Sequence, residues 1–363
     1  MPMDAAIRPH RLASQRLVGD GFATPGEVVA WLGAVQSQDV PGATWAVGLR
    51  TRDATSASVQ AAFDAGDFVR THVLRPTWHF VSAADIRWVM ALSGPRVHVL
   101  NAGRYRQLEL DQETLVRGAE LMTGALAGGN FLTRTELGAV LREHGIATDG
   151  QRLAYLAMYA ELEALICSGP ARGKQQTYAL FDERVPPAAP RSRDEALADL
   201  AERFFVSHGP ATAHDFAWWT SFTLADARKA ADLAAGRLER MEFAGRTWWS
   251  GAIDAVPVPA HHARLLPNYD EYFSQDGFSR QFSAADPERM PELFAAGRMD
   301  AHHLVIDGLL RGGWRRWIAG KTTQIEIDAW TALSGDERQA VEREIERYGR
   351  FLGQQPTVAW TSG

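Results

Sequence analysis

Three times along the chain, three helix-forming stretches are followed by a two-stranded hairpin, and that recurrence limits the fold more than any other feature. The middle copy is the clearest. Residues 112–127, 133–145 and 149–164 read as helices; Leu132, Leu137, Val140 and Leu141 share a face, and Thr133 or Thr135 can cap the start. "EALICSG" and "QQTYALFD" then read as strands flanking the polar turn "PARGK". In residues 193–250, "RDEALADLAERFFVSHG", "TAHDFAWWTS" and "TLADARKAADLAA" are helical, and "LERMEFAGRTWWS" is a hairpin turning at "AGR". The N-terminal copy predicts helices near 10–19, 25–35 and 56–66, with a hairpin "DFVRTHVLRPTWHFVS" turning at Arg75-Pro76. This order is that of a winged helix, so the expected fold is α+β, with tandem winged-helix (helix-turn-helix) units.

Composition shifts mark the boundaries. "ERVPPAAPRSR" (183–193) and "AVPVPAHHAR" (255–264) are proline-rich linkers. Beyond the second the pattern becomes strand-rich. "HHLVIDGLLRGGWRRWI" predicts a hairpin turning near Asp307-Gly308, "TTQIEIDAW" alternates with period two, and a helix follows at roughly 335–351. The expected division is 1–110, 111–185 and 191–255 for the three units, and 260–363 for a C-terminal β-barrel-like domain.

The net charge of −6 argues against a uniformly basic nucleic-acid binder but leaves room for a local basic face. Arginine dominates the basic residues; the lysines are Lys174, Lys229 and Lys321. Arginine suits bidentate contact with phosphate or guanine. A single cysteine, Cys167, excludes an intramolecular disulfide and a cysteine-based zinc site, and its apolar surroundings predict a buried, inert thiol. No stretch approaches the roughly 18 apolar residues that span a bilayer. The N-terminus lacks the apolar core of a secretory signal, so a cytoplasmic protein without a membrane partner is expected.

Gln36 and Gln38 stand out in "WLGAVQSQDVPGATW". On a helix, side chains two apart diverge; on an extended backbone they share a face. Pro41 and Gly42 favour a helix that ends before Gln36. Spacing alone favours two ordinary polar residues at a helix end. In the first hairpin, alternation groups Arg70, His72 and Leu74, and on the return strand Thr77, His79 and Val81. Such a stripe suits phosphate contact or a solvated edge, and His79 titrates in the range of a general base. His261-His262 and His302-His303 are adjacent and diverge on a strand, and no HExxH or Cys/His spacing accompanies them, so no metal is expected. Asp270 and Glu271 in "LLPNYDEYF" read as loop-holding hydrogen-bond acceptors. Arg315 and Arg316 lie between Trp314 and Trp317, a pattern for a nucleic-acid groove or a half-buried strand. Trp218-Trp219 and Trp248-Trp249 read as core or lining of the third unit. No phosphate-binding glycine loop and no GxSxG elbow occurs.

Taken together, "AVQSQD", "THVLRPTWHFVSAADIRW", "LLPNYDEY" and "VIDGLLRGGWRR" resemble the AlkZ/YcaQ-like winged-helix DNA glycosylases, over nearly the whole chain. The resemblance implies tandem winged helices with a C-terminal β-barrel. It implies monofunctional excision of alkylated purines, N7-guanine adducts and interstrand crosslinks included, by hydrolysis of the N-glycosidic bond. It places the catalytic Gln-x-Gln motif on Gln36 and Gln38; the middle position is commonly small or apolar, and Ser37 departs mildly. Arg75 and His79 are expected beside the pair and on DNA, with Arg315 and Arg316 extending the basic surface. The expected partner is double-stranded DNA carrying alkylated purines, met by a monomer with no cofactor and no metal. The alternative is a non-catalytic winged-helix DNA-binding protein or transcriptional regulator. That reading needs a basic recognition helix, and none of the three candidates is strongly basic.

Overall fold

A computed structural model describes residues 3–252, 256–294, 302–319 and 322–361. After α1 (Met3–Ser14), the first repeat runs α2 (Pro25–Leu32), β1 (Val35–Gln36), α3 (Val40–Leu49), α4 (Ser56–Ala65), β2 (Phe68–His72) and β3 (Trp78–Ser82). A long helix, α5 (Ile86–Gln107), leads into the second: α6 (Gln112–Leu126), β4 (Leu132–Thr133), α7 (Arg134–Glu143), α8 (Arg152–Leu162), β5 (Ile166–Ser168) and β6 (Thr177–Leu180), closed by α9 (Phe181–Arg184). The third is α10 (Arg193–His208), β7 (Ala211–Thr212), α11 (Ala213–Thr220), α12 (Leu224–Ala234), β8 (Glu239–Phe243) and β9 (Arg246–Ser250). Each repeat closes the same antiparallel sheet, ordered β1-β3-β2, β4-β6-β5 and β7-β9-β8. The two-residue strand after the first helix of each repeat is absent from the sequence reading, because two residues carry no periodicity.

Local chemistry explains how that short strand passes into a helix. Thr133 ends β4 and caps α7, its side chain accepting from Glu136 N–H while Glu136 returns to the Thr133 N–H. Thr212 and Asp215 do the same at α11. In the first repeat Pro41 takes this place. It sits in the opening turn of α3, where a missing N–H costs nothing, so the proline-glycine pair starts a helix instead of breaking one. The helix expected near 10–19 lies at Met3–Ser14 instead.

The C-terminal part comprises β10 (Ala263–Leu266), two short helices α13 (Gly277–Arg280) and α14 (Met290–Phe294), β11 (His302–Ile306), β12 (Leu309–Ala319), β13 (Thr322–Ala329), α15 (Gly335–Leu352) and β14 (Pro356–Thr361). Its five strands are ordered β10-β11-β12-β13-β14. β10 and β14 are the edges among the described residues, so the expected barrel is an open sheet. β14 runs parallel to β13, a pairing that needs a crossover, and α15 supplies it. That helix packs against β10 and shares a core with Trp45 of the first repeat, whose ring lies 4.8 Å from Tyr348 and 4.9 Å from Phe351. A second core joins Val69, Val73, Leu74 and Val81 of the first hairpin to Phe204, Phe216 and Trp219 of the third repeat. The first repeat therefore shares a core with both the C-terminal sheet and the third repeat.

One ion pair spans the first of these junctions. Arg50, at the C-terminal end of α3, grips Asp270 through two hydrogen bonds of 2.8 and 2.9 Å, with neither side chain exposed. Its other donors reach the Gln15 carbonyl, the Gln15 side chain and the Ala46 carbonyl. Removing one partner leaves a buried charge unmatched. Arg50→Met is expected to lower unfolding stability by about 3–5 kcal/mol in urea denaturation, and Asp270→Leu added to it to restore most of that loss.

Candidate active site

The chain reverses at Gly33, whose φ of 76° suits glycine, and runs extended through β1, where Val35 and Gln36 pair with Phe80 and His79. Val35 and Ser37 are buried, Gln36 is half-buried and Gln38 is exposed. The two amides thus belong to the open side of one segment, and the residue between them belongs to the packed side. The main chain is held at three points. Gln36 N–H donates to Glu271 Oε1 (2.8 Å), Ser37 N–H donates to the Trp78 carbonyl (2.7 Å), and Arg70 Nε–H donates to the Ser37 carbonyl (3.1 Å).

Glu271 is fully buried. Its second oxygen accepts from Trp219 Nε1 (3.0 Å) and His208 Nε2 (3.2 Å). Ser207 Oγ lies 2.7 Å from His208 Nδ1 and donates to the Arg203 carbonyl at 2.6 Å. Burial alone would raise the Glu271 pKa. The His208 hydrogen bond and charge, Arg75 and the Gln36 N–H outweigh it and hold the carboxyl at about 2. Asp270 and Glu271 therefore hold loops. The contact from Glu271 to Gln36 joins residues 235 apart in sequence, and the adjacent acids Asp270 and Glu271 after an apolar run were its only sequence signal.

The hairpin residues divide by exposure. Arg75, in the turn between β2 and β3, is half-buried, with Nη2 3.4 Å from His79 Nε2 and its guanidinium 5.0 Å from the Trp218 ring centre. His79 is fully buried and donates from Nδ1 to the Thr77 carbonyl at 3.0 Å. Burial first, then Arg75, pushes its pKa down to about 3, so it is neutral near pH 7 and poorly matched to a general base. Arg70 and His72 share a face as expected, but that face is turned inward against the second repeat. His72 pairs with buried Glu161, and both residues pack on Trp78, Arg70 at 4.0 Å and His72 at 4.3 Å.

Arg315 and Arg316 point to opposite sides of β12. Arg316 donates to Tyr348 Oη (2.5 Å) and lies 3.5 Å from Asp39, next to Gln38. Arg315 is half-buried on the side of Trp317, which is exposed. The histidine pairs also split. His302 Nδ1 accepts the Asn268 N–H (2.8 Å), and His303 lies between Phe273 and Phe294. Among the described residues no group of three or more potential ligands could hold a metal ion. Cys167 is buried, which pushes its thiol up to about 12. Among the described residues no helix is long and apolar enough to cross a membrane.

The family model described as "DNA glycosylase AlkZ-like" matches residues 29–351. No curated protein sequence matches the chain. Among solved structures, the Streptomyces sahachiroi DNA glycosylase AlkZ is similar at a TM-score of 0.80 and 21% identity, covering 98% of this chain and 99% of that one, a likeness of fold.

Burial keeps several histidines neutral: His79, His302 and His303 are pushed down to about 3 and His262 to about 4. In the unfolded chain each titrates near 6.5. The unfolded state therefore binds more protons between those values, so their contribution to stability is complete above pH 6.5 and is lost as pH falls toward 3. Glu271 adds a loss of the same sign between its ordinary 4.5 and about 2. The urea midpoint is expected to fall steadily from pH 6.5 to pH 4. A flat midpoint across that window would contradict the buried, neutral histidines.

Proposed function

The chain belongs to the AlkZ-like DNA glycosylase family, and from that premise we propose that it excises N7-alkylated purines, crosslinked ones included, from duplex DNA by monofunctional hydrolysis of the N-glycosidic bond. The observation that carries this reading is the extended segment with Gln36 and Gln38 on its open side, fixed through its main chain by a buried, ionised Glu271.

An N7-alkylated guanine carries a positive charge on its ring. When the C1′–N9 bond breaks, the electron pair leaves with the base and neutralises it, so no strong acid is needed. Water then adds at C1′ and releases a proton to solvent, leaving an abasic sugar. Two amide oxygens can accept the hydrogens of that water and turn its lone pair toward C1′. The same dipoles face the positive charge that develops on the sugar. His79, being neutral and enclosed, serves as the acceptor that orients Arg75 and does not reach DNA itself. Arg75 and Arg315 supply charge at the margin, and Arg316 holds Asp39 beside the motif.

The three like-ordered sheets support reading each repeat as a winged helix, set in a row that receives a duplex. An open row suits bulky crosslinked bases better than a closed base-flipping pocket. A binder without catalysis would need a basic recognition helix. By position those helices are α4, which carries no basic residue, α8, which carries Arg152, and α12, which carries Arg228 and Lys229, the latter 2.6 Å from Asp194, so none is strongly basic.

Duplex DNA bearing N7-methylguanine tests the reading through abasic sites revealed by alkaline cleavage. The double variant Gln36→Ala/Gln38→Ala is expected to release base about 100-fold more slowly in single turnover, with duplex affinity unchanged. Because neither amide ionises, the wild-type rate is expected to be level from pH 6 to 9. Release that survives the double substitution would overturn the mechanism.

A further inference from the structure

Trp218 is 43% exposed, while its neighbour Trp219 and the later pair Trp248-Trp249 are buried. Two guanidinium groups from distant segments approach its ring. Arg75 comes from the first hairpin at 5.0 Å and Arg280 from the end of α13 at 5.2 Å. Among the described residues neither arginine forms an ion pair, and the Nε of each is buried without a hydrogen-bond partner. Arg280 is positioned by packing on Phe294 (4.5 Å) and by donating to the Gln275 carbonyl (2.6 Å).

The contrast with Trp78 decides what this arrangement is for. Trp78 is also flanked by two arginines, Arg70 at 4.0 Å and Arg134 at 5.1 Å. There, however, Glu161 lies 3.4 Å from the indole N–H, and Arg70 bonds the Ser37 carbonyl, so the cluster is satisfied internally. The Trp218 cluster has an open indole, and the acids that act on its arginines, Glu271 on Arg75 and Asp276 and Asp215 on Arg280, do so without an ion-pair contact among the described residues. It lies beside the glutamine segment, since Trp219 and Gln36 share the Glu271 carboxylate and His79, the strand partner of Gln36, touches Arg75.

We infer that Trp218, Arg75 and Arg280 form a nucleotide clamp at the margin of the glutamine segment, the indole packing on a base of the bound strand and the guanidinium groups taking the adjoining phosphodiesters. Aromatic contact with a base and cationic contact with phosphate recur together in strand-binding grooves. The inference rests on the glycosylase reading only for its ligand, DNA.

The full chain and its variants Trp218→Ala, Trp218→Phe and Arg280→Gln are titrated with a duplex containing a tetrahydrofuran abasic analogue over a range of KCl. Trp218→Ala is expected to weaken binding about 5- to 150-fold and Trp218→Phe to keep most of the affinity. Arg280→Gln is expected to reduce the slope of log affinity against log salt by about 1. Should Arg280→Gln melt early, the comparison of alanine with phenylalanine at position 218 decides alone. Wild-type affinity in Trp218→Ala would overturn the clamp, even if N7-methylguanine is released normally and the glycosylase reading stands. Clamp-dependent binding by a protein that releases no base would keep the clamp and sink the glycosylase.

Discussion

A single ionised carboxylate, enclosed on every side, sets the terms for the rest of this structure. Glu271 belongs to the C-terminal part, yet its donors come from the first repeat through Gln36 and from the third through His208 and Trp219. Burying an unmatched carboxylate is costly enough that the group would take up a proton instead. Here the donors compensate the burial, and the charge persists. The carboxylate stays ionised only while three remote stretches of chain hold their mutual positions, and the glutamine segment inherits that rigidity.

The same logic recurs at an internal cation. Arg11 on α1 is fully buried and uses Nε and Nη2 on the Pro210 carbonyl (3.1 and 3.0 Å) and Nη1 on Ser279 and Ser283. Its ligands are carbonyls and a hydroxyl, so it fixes backbone from the third repeat and the C-terminal part without a paired acid. Together with Arg50 and Asp270, it makes α1 and the first repeat the frame on which the other parts are registered. The apolar cores divide along the same lines, one shared by the first repeat with the C-terminal sheet and another by its hairpin with the third repeat.

What could be read from the sequence follows from the range of each signal. The helix-and-hairpin order was legible because periodicity is local, and the turn at Asp307-Gly308 was legible because its two positive φ angles, 52° and 77°, favour that residue pair. Helix α3 was missed because Pro41-Gly42 has opposite meanings at the start and in the middle of a helix. Closure of the C-terminal sheet was over-read, since alternation in a strand says which face is apolar and nothing about its edges. At the site, the spacing of Gln36 and Gln38 was informative once the backbone was extended. The inward turn of Arg70 and His72 was not, because it depends on Glu161 and Ser168 of the next repeat. Trp218 and Trp219 are adjacent and chemically identical, and only the packing of α11 distinguishes the open indole from the enclosed one.

The glutamine segment is secured by peptide groups: the N–H of Gln36 and both the N–H and the carbonyl of Ser37. None of these three contacts uses an amide side chain. Scaffold and reactivity are thereby decoupled. The loop does not rely on the side chains at 36 and 38 for its shape, so the chemistry presented there is free to diversify, in evolution or by design, on an unchanged support.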